Sequence, residues 1–180
     1  GRAAIMRGQY MRHHCIVDNN RPSPAGLRPF SVFLDETGYD TAFIGKWHMG
    51  NADNSPKPGF DHWVSFEGQG NYNSVEAFGR PSLFNINGEV VQQTEYITDE
   101  LTRHALSWRE ERSEAPFLLF LSHKAVHLPF TPAERHAELY ANDVVALPAR
   151  ADPEHGSGPR RMWLSSQNNS WQGSDFAFYS

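Results

Sequence analysis

The stretch TAFIGKWH (residues 41–48) decides how this chain is read: a short apolar run stops at Gly45, and Lys46, Trp47 and His48 follow at once. Just upstream, Leu27, Phe30, Phe33 and Leu34 recur at helical spacing, and Gly38 stands where a helix C-terminal cap belongs. A helix that feeds directly into a buried strand is half of an α/β crossover unit. A second stretch repeats the pattern. In FLLFLSHKAVHLPF (residues 117–130) an apolar run suited to a strand covered on both faces stops at Ser122, and His123, Lys124 and His127 come after it. In open α/β sheets, ligands bind in the crevice beyond the carboxyl ends of the strands. Two such ends predict a cationic, proton-handling cleft built from Lys46, His48, His123, Lys124 and His127. Either motif alone is equally compatible with solvated loop residues. The repetition favours the cleft.

Working outward, RAAIMRGQYM (2–11) reads as a short helix before Gly8, and DNNRPSPAG (18–26) as a loop of turn-forming residues. NADNSPKPGFDHW (51–63) is a further loop. SLFNINGEVV (82–91) carries Asn87-Gly88 between β-forming residues and predicts a two-stranded hairpin. Ile97, Leu101, Ala105 and Trp108 mark an amphipathic helix, with Asp99 and Glu100 early and Arg109 and Arg112 late, as the helix dipole favours. TPAERHAELY (131–140) predicts another helix with Thr131 as N-cap and Pro132 at its first position, and DPEHGSGPRR (152–161) a surface loop. This order implies an α/β layered sheet. Two buried parallel strands are too few for a complete doubly wound sheet, so the chain is expected to be part of something larger.

The bulk composition narrows the function. The 180 residues carry a formal charge of −5 with histidines neutral, which argues against a nucleic-acid binder with a basic stripe. One cysteine, Cys15, excludes an internal disulfide and a cysteine-rich zinc site. His123 and His127 have the i, i+4 spacing of zinc ligands, but Pro129 and the strand pattern before Ser122 argue against a helix there. No apolar run approaches the ~20 residues that span a bilayer. The chain opens GRAAIM without an initiator methionine, so an upstream segment is expected. WVSFEGQGNY (63–72) is either a sugar-stacking loop or ordinary loop packing. No GxxxxGK[ST], GxGxxG or GxSxG pattern occurs. Charge stabilisers and proton carriers are therefore present without an evident nucleophile.

GKWHMG (45–50), PGFDHWVSFEGQGNY (58–72), YITDELTRHAL (96–106), PFLLFLSHKAVHLPF (116–130) and SWQGSDFAFY (170–179) together resemble the catalytic domain of the type I, formylglycine-dependent sulfatases. The likeness runs from residue 1 to about 180 and is strongest to bacterial enzymes similar to N-acetylglucosamine-6-sulfatase and arylsulfatases. It implies an alkaline-phosphatase-like α/β/α sandwich with a mostly parallel sheet. On that reading residues 1–180 are a single, partial N-terminal catalytic domain, truncated at both ends. The family signature is C-x-P-S-R. Here the chain begins inside it, with Arg2 as its arginine and the cysteine that becomes formylglycine three positions before Gly1. Gly1 stands where serine is usual, and Arg7 where threonine is usual in the auxiliary part of the conversion signal. Cys15 does not match the nucleophile position.

The resemblance also implies roles. Arg2 would hold the formylglycine, Lys46 would bridge the nucleophile and a sulfate oxygen, and His48 would take the proton whose removal regenerates the aldehyde. His127 would donate to the leaving alcohol, with Lys124 and Gln69 as substrate contacts. Calcium is implied as well, through ligands in segments outside this chain; Asp61 and Asp99 do not match those motifs, so no metal ligand is assigned here. The expected parent is a sulfuric ester hydrolase of a sulfated sugar, periplasmic or secreted, and the 180 residues alone are expected to be inactive. The alternatives are a phosphatase or phosphodiesterase of the same superfamily, and a non-catalytic remnant.

Overall fold

In the computed structural model, residues 1–20, 26, 28–50, 53–75 and 79–144 are described. The chain divides into two units, Gly1–Phe130 and Thr131–Ser180. The first unit is built around β1 (Asp40–Gly45), whose residues from Thr41 onward are all buried. Three short helices precede it: α1 (Arg2–Arg7), α2 (Met11–His14) and α3 (Phe30–Asp35). Then come β2 (His62–Phe66), β3 (Leu83–Ile86), β4 (Glu89–Gln92), α4 (Ile97–Glu111) and β5 (Phe117–Ser122). The strands form one sheet in the order β4-β3-β2-β1-β5, with β1 parallel to both β2 and β5 and the hairpin antiparallel beside β2.

Alternation along the central strands sorts their side chains onto two faces. Phe43 and Trp63 pack with Ala3 and Met6 of α1 and with Ile16, Trp47 and Met49. Ile44, Val64, Phe66 and Phe84 pack with Ile97, Leu101 and Ala105 of α4. Helices therefore cover both faces, and the α/β expectation holds. The N-terminus of α4 is tied down by Glu100, a buried carboxylate that accepts from the backbone N–H groups of Thr94 (2.8 Å) and Glu95 (2.9 Å). Gly38 closes α3 as expected: its N–H reaches the Asp35 carbonyl and the Tyr39 N–H reaches Leu34, the paired bonds of a Schellman motif. The hairpin also holds, with Asn87 and Gly88 both at positive φ (52° and 98°) as a two-residue primed turn requires.

Three expectations are corrected and one open alternative is decided. β2 lies inside the region read as loop; Trp63 to Phe66 are buried on both faces of the sheet, so they carry no polar-apolar alternation to betray a strand. The Trp63 ring stacks on Phe43 (4.6 Å) and its Nε1 donates to the Asn54 carbonyl (2.8 Å), which rules out sugar stacking by Trp63. β5 is covered only in part: Leu119 packs against the α4 cluster and Phe120 against the α1 cluster, but among the described residues the strand pairs with β1 alone, and Phe117 and Leu121 are exposed. An apolar run records that a strand can be buried, not which neighbour buries it. In the second unit, residues 131–140 form one turn of 3₁₀ helix, Glu134–His136, with Ala133 rather than Thr131 in the N-cap position. Residues 134–144 are exposed, and so short a helix without a packed face is marginal in water. Residues 21–25, Leu27 and 145–180, with DPEHGSGPRR and SWQGSDFAFY, lie outside the described residues.

Candidate active site

Parallel register brings the two cationic segments together. Gly45 lies opposite Ser122 in the β1/β5 ladder, and the pairing runs one step further because the Lys46 N–H donates to the Ser122 carbonyl (2.7 Å). The Ser122 hydroxyl answers by donating to the Lys46 carbonyl (3.2 Å). Gly45 is obligatory at this crossing. Its φ is +123°, and a Cβ on it would lie 1.9 Å from the Ser122 oxygen. Beyond it Trp47 and Met49 are buried in the aromatic cluster of the α1 face. His48, between them, has a left-handed backbone (φ 43°) and is half-buried.

Arg2 reaches this segment from the start of α1: its Nη2 donates to the His48 carbonyl (3.1 Å), and its Nε is buried without a partner. The Lys46 ammonium donates to Oε1 of Gln69, which stands on the loop after β2. Gly70, next to Gln69, has φ +66° and sits so close to the Phe66 ring that a Cβ would come within 2.4 Å of it. From the β5 side, the buried Lys124 ammonium donates to the backbone carbonyls of Gln69 (3.3 Å) and Leu128 (3.2 Å) and lies 4.6 Å above the Tyr72 ring. His127 follows in the same turn, its Nδ1 3.0 Å from the Leu128 carbonyl. A ring nitrogen facing a carbonyl must carry hydrogen, so Nδ1 is held as a donor and Nε2 is the nitrogen left to exchange a proton.

The electrostatics join these groups into one field. Burial, then the charges of Arg2 and Lys124, pull the Lys46 ammonium down from 10.5 to about 8. Burial, then Lys46, Arg2 and His127, lower the His48 imidazole below its ordinary 6.5, so it favours the neutral, proton-accepting form. Burial lowers Arg2 and Lys124 too. Among the described residues, no carboxylate pairs with Arg2, Lys46 or Lys124. A cluster of desolvated cations with no counter-charge is a site for an anion.

Of the residues singled out in the sequence, Arg2, Lys46, His48, Lys124, His127 and Gln69 gather here. His123 does not join them by any hydrogen bond or charge coupling. Its Nδ1 is buried without a partner, and burial alone lowers its basicity. Residues 123–127 form a turn rather than a helix, and no cluster of three or more His, Cys, Asp or Glu suited to a metal exists among the described residues. Asp61 instead accepts from the Thr41 N–H (3.0 Å) and hydroxyl (2.9 Å). The sequence offered Tyr72 only as one ring of a possible stacking loop; the structure buries it under Lys124 and directs its hydroxyl to the His127 carbonyl (2.6 Å).

An α/β sheet with desolvated cations gathered past the carboxyl ends of its parallel strands defines the class, and comparison with known proteins supplies the family. A sequence model of the Sulfatase family matches residues 1–169, and the chain belongs to that family. It is 32% identical over 162 residues to N-acetylglucosamine-6-O-sulfatase of Bacteroides thetaiotaomicron, which covers 87% of this chain and 27% of that relative. Extracellular sulfatase SULF-1 homolog of Drosophila melanogaster is 21% identical over 179 residues, 91% of this chain and 15% of its own length. Among solved structures, that of BT4656 in complex with its substrate D-glucosamine-2-N,6-O-disulfate matches with a TM-score of 0.74 at 31% identity, over 87% of this chain and 31% of that one. The alkaline-phosphatase-like fold is thereby established. The chain spans 27% of the length of the first of these relatives.

Proposed function

We propose that this chain supplies the sulfate-binding and proton-transfer groups of a sulfuric ester hydrolase acting on a sulfated sugar such as N-acetylglucosamine 6-sulfate. The observation that carries the reading is the convergence of Arg2, Lys46, His48, Lys124 and His127 past the ends of β1 and β5, without a paired carboxylate among the described residues. The two relatives named for glucosamine sulfates support the substrate class. Lys46, a cation at neutral pH, donates to a sulfate oxygen and disperses the charge that develops there. The Lys124 ammonium adds to the same field from its seat above Tyr72. Gln69, now the partner of Lys46, contacts the substrate at the same place. His127, protonated on both ring nitrogens, keeps its Nδ1–H on the Leu128 carbonyl and gives its Nε2 proton to the departing sugar oxygen, ending as the neutral imidazole. His48, biased toward its neutral form by burial and then by its cationic neighbours, accepts a proton late in the cycle.

The formylglycine that the family employs would supply a hydrated aldehyde whose hydroxyl attacks sulfur. The buried Arg2 Nε and the cations that have no carboxylate partner among the described residues fit an oxygen-bearing group of that kind, with Arg2 and Lys46 as its holders. Calcium is part of the proposal for the whole protein, but no residue described here is assigned to it and no step is routed through it. Residues 1–180 belong to one catalytic domain, and the extracellular relative supports a periplasmic or secreted setting. The test is sulfate release from N-acetylglucosamine 6-sulfate and from an aryl sulfate by the full-length, formylglycine-bearing protein. Hydrolysis of the sugar sulfate is expected. Turnover of neither ester, or faster turnover of the matching phosphate esters, refutes the proposal.

A further inference from the structure

Tyr72 is held from three directions. Its backbone carbonyl accepts from the N–H of Ile97, the first residue of α4 (2.8 Å), and from the Gln93 side chain (3.3 Å). Its ring stacks on Tyr96 at 5.7 Å and lies beneath the Lys124 ammonium at 4.6 Å. Its hydroxyl donates to the His127 carbonyl at 2.6 Å, a short bond between a buried phenol and the backbone of the proposed proton donor. Burial, with Tyr96 next, raises the phenol above its ordinary 10, so it stays a donor throughout any useful assay range. The Lys124 ammonium adds a second tie across the same gap, bridging the carbonyls of Gln69 and Leu128.

The turn that carries His127 has little else to fix it. Ala125, Val126, Pro129 and Phe130 are exposed, and Val126 is 84% accessible. Within the turn, the His127 N–H reaches Lys124 and the Phe130 N–H reaches the His127 carbonyl (3.2 Å), bonds local to the turn that do not anchor it to the sheet. Among the described residues, the hydrogen bonds that join it to the loop after β2 come from the Tyr72 hydroxyl and the Lys124 ammonium. We infer that Tyr72 is a positioning residue for the leaving-group proton: through its bond to the His127 carbonyl it sets where the imidazole stands relative to Lys46 and the ester oxygen. The inference rests on the proposed role of His127.

Proton donation matters in proportion to how poor the leaving group is. A sugar alkoxide needs the proton, whereas an activated aryl sulfate releases a phenolate that departs without it. Tyr72→Phe keeps the ring, the Tyr96 stack and the seat of Lys124, and leaves the His127 carbonyl its bond from Phe130, so no buried acceptor is orphaned. In the full-length protein, Tyr72→Phe is expected to lower kcat on N-acetylglucosamine 6-sulfate by about tenfold with KM nearly unchanged, and to leave the aryl sulfate rate within about twofold. His127→Gln is expected to show the same selectivity in larger degree. Equal loss on both esters, as general destabilisation produces, overturns the inference. So does full activity of Tyr72→Phe on the sugar when His127→Gln is selectively impaired. If His127→Gln itself shows no dependence on the leaving group, the role of His127 fails and the positioning role falls with it.

Discussion

Lys46 offers the sharpest test of the anion site, because its charge is the one its surroundings oppose most. Burial, Arg2 and Lys124 bring it from 10.5 to about 8. At about 1.36 kcal/mol for each tenfold change in proton affinity, that displacement is worth about 3 kcal/mol. A sulfate oxygen within hydrogen-bond range supplies a compensating attraction: unit charges 4 Å apart at an effective dielectric of 20 gain about 4 kcal/mol. Anion binding therefore returns Lys46 toward its ordinary value, and by linkage the anion must bind more weakly wherever Lys46 has lost its proton. Affinity for sulfate or a sulfated glucosamine should be level up to about pH 8 and then fall nearly tenfold for each further pH unit. At pH 9.5 it should be roughly 30-fold weaker than at pH 7. Calorimetric titration across that range, in two buffers of different ionisation enthalpy, measures both the affinity and the proton taken up. Lys46→Arg keeps its charge throughout and should flatten the profile; Lys46→Met should bind weakly at every pH. A level wild-type profile to pH 9.5, or an arginine variant that falls as steeply as wild type, refutes the reasoning.

Two further expectations follow from the same corner of the fold. Gly45→Ala places a Cβ 1.9 Å from the Ser122 oxygen at φ +123°, so it should destabilise the chain by roughly 3 kcal/mol or more. Gly68→Ala, at φ +56° in open space, should cost about 1 kcal/mol, and thermal denaturation that ranks the two equally contradicts the crowding argument. His48 is held below 6.5 by burial first and then by Lys46, Arg2 and His127, so the folded chain binds fewer protons there than the unfolded one. That difference takes stability away as pH falls from 6.5 through the folded value. Imidazole signals followed by NMR should place His48 below 6.5 and move it upward in Lys46→Met; a titration at or above 6.5 in the wild type removes the basis for its role as proton acceptor.

The features legible in the sequence are those that local chemistry fixes. Asn87-Gly88 dictated its hairpin because few other residues accept positive φ at both positions of a two-residue turn. Gly38 ended α3 for the same kind of reason. The repeated motif, an apolar strand followed by lysine and histidine, singled out Lys46, His48, His123, Lys124 and His127, of which all but His123 gather in one cluster, since strand ends in such sheets are where ligands bind. β2 escaped because a strand buried on both faces has no alternation, and aromatic residues beside glycines read as well for a loop.

Partnership was decided by tertiary structure alone. No spacing in the chain could say that β5 stands beside β1 in parallel register with Gly45 opposite Ser122, and that register makes one site of residues about 80 positions apart. Nor could it give Tyr72 its place beneath Lys124 and against the His127 carbonyl. The chain by itself determined which groups could carry charge and protons and where the backbone would turn, because those are properties of each residue and its neighbours in sequence. Which of those groups share a crevice, and how far each is driven from its ordinary proton affinity, depends on burial and on charges brought in from distant segments, and these exist only once the sheet has formed.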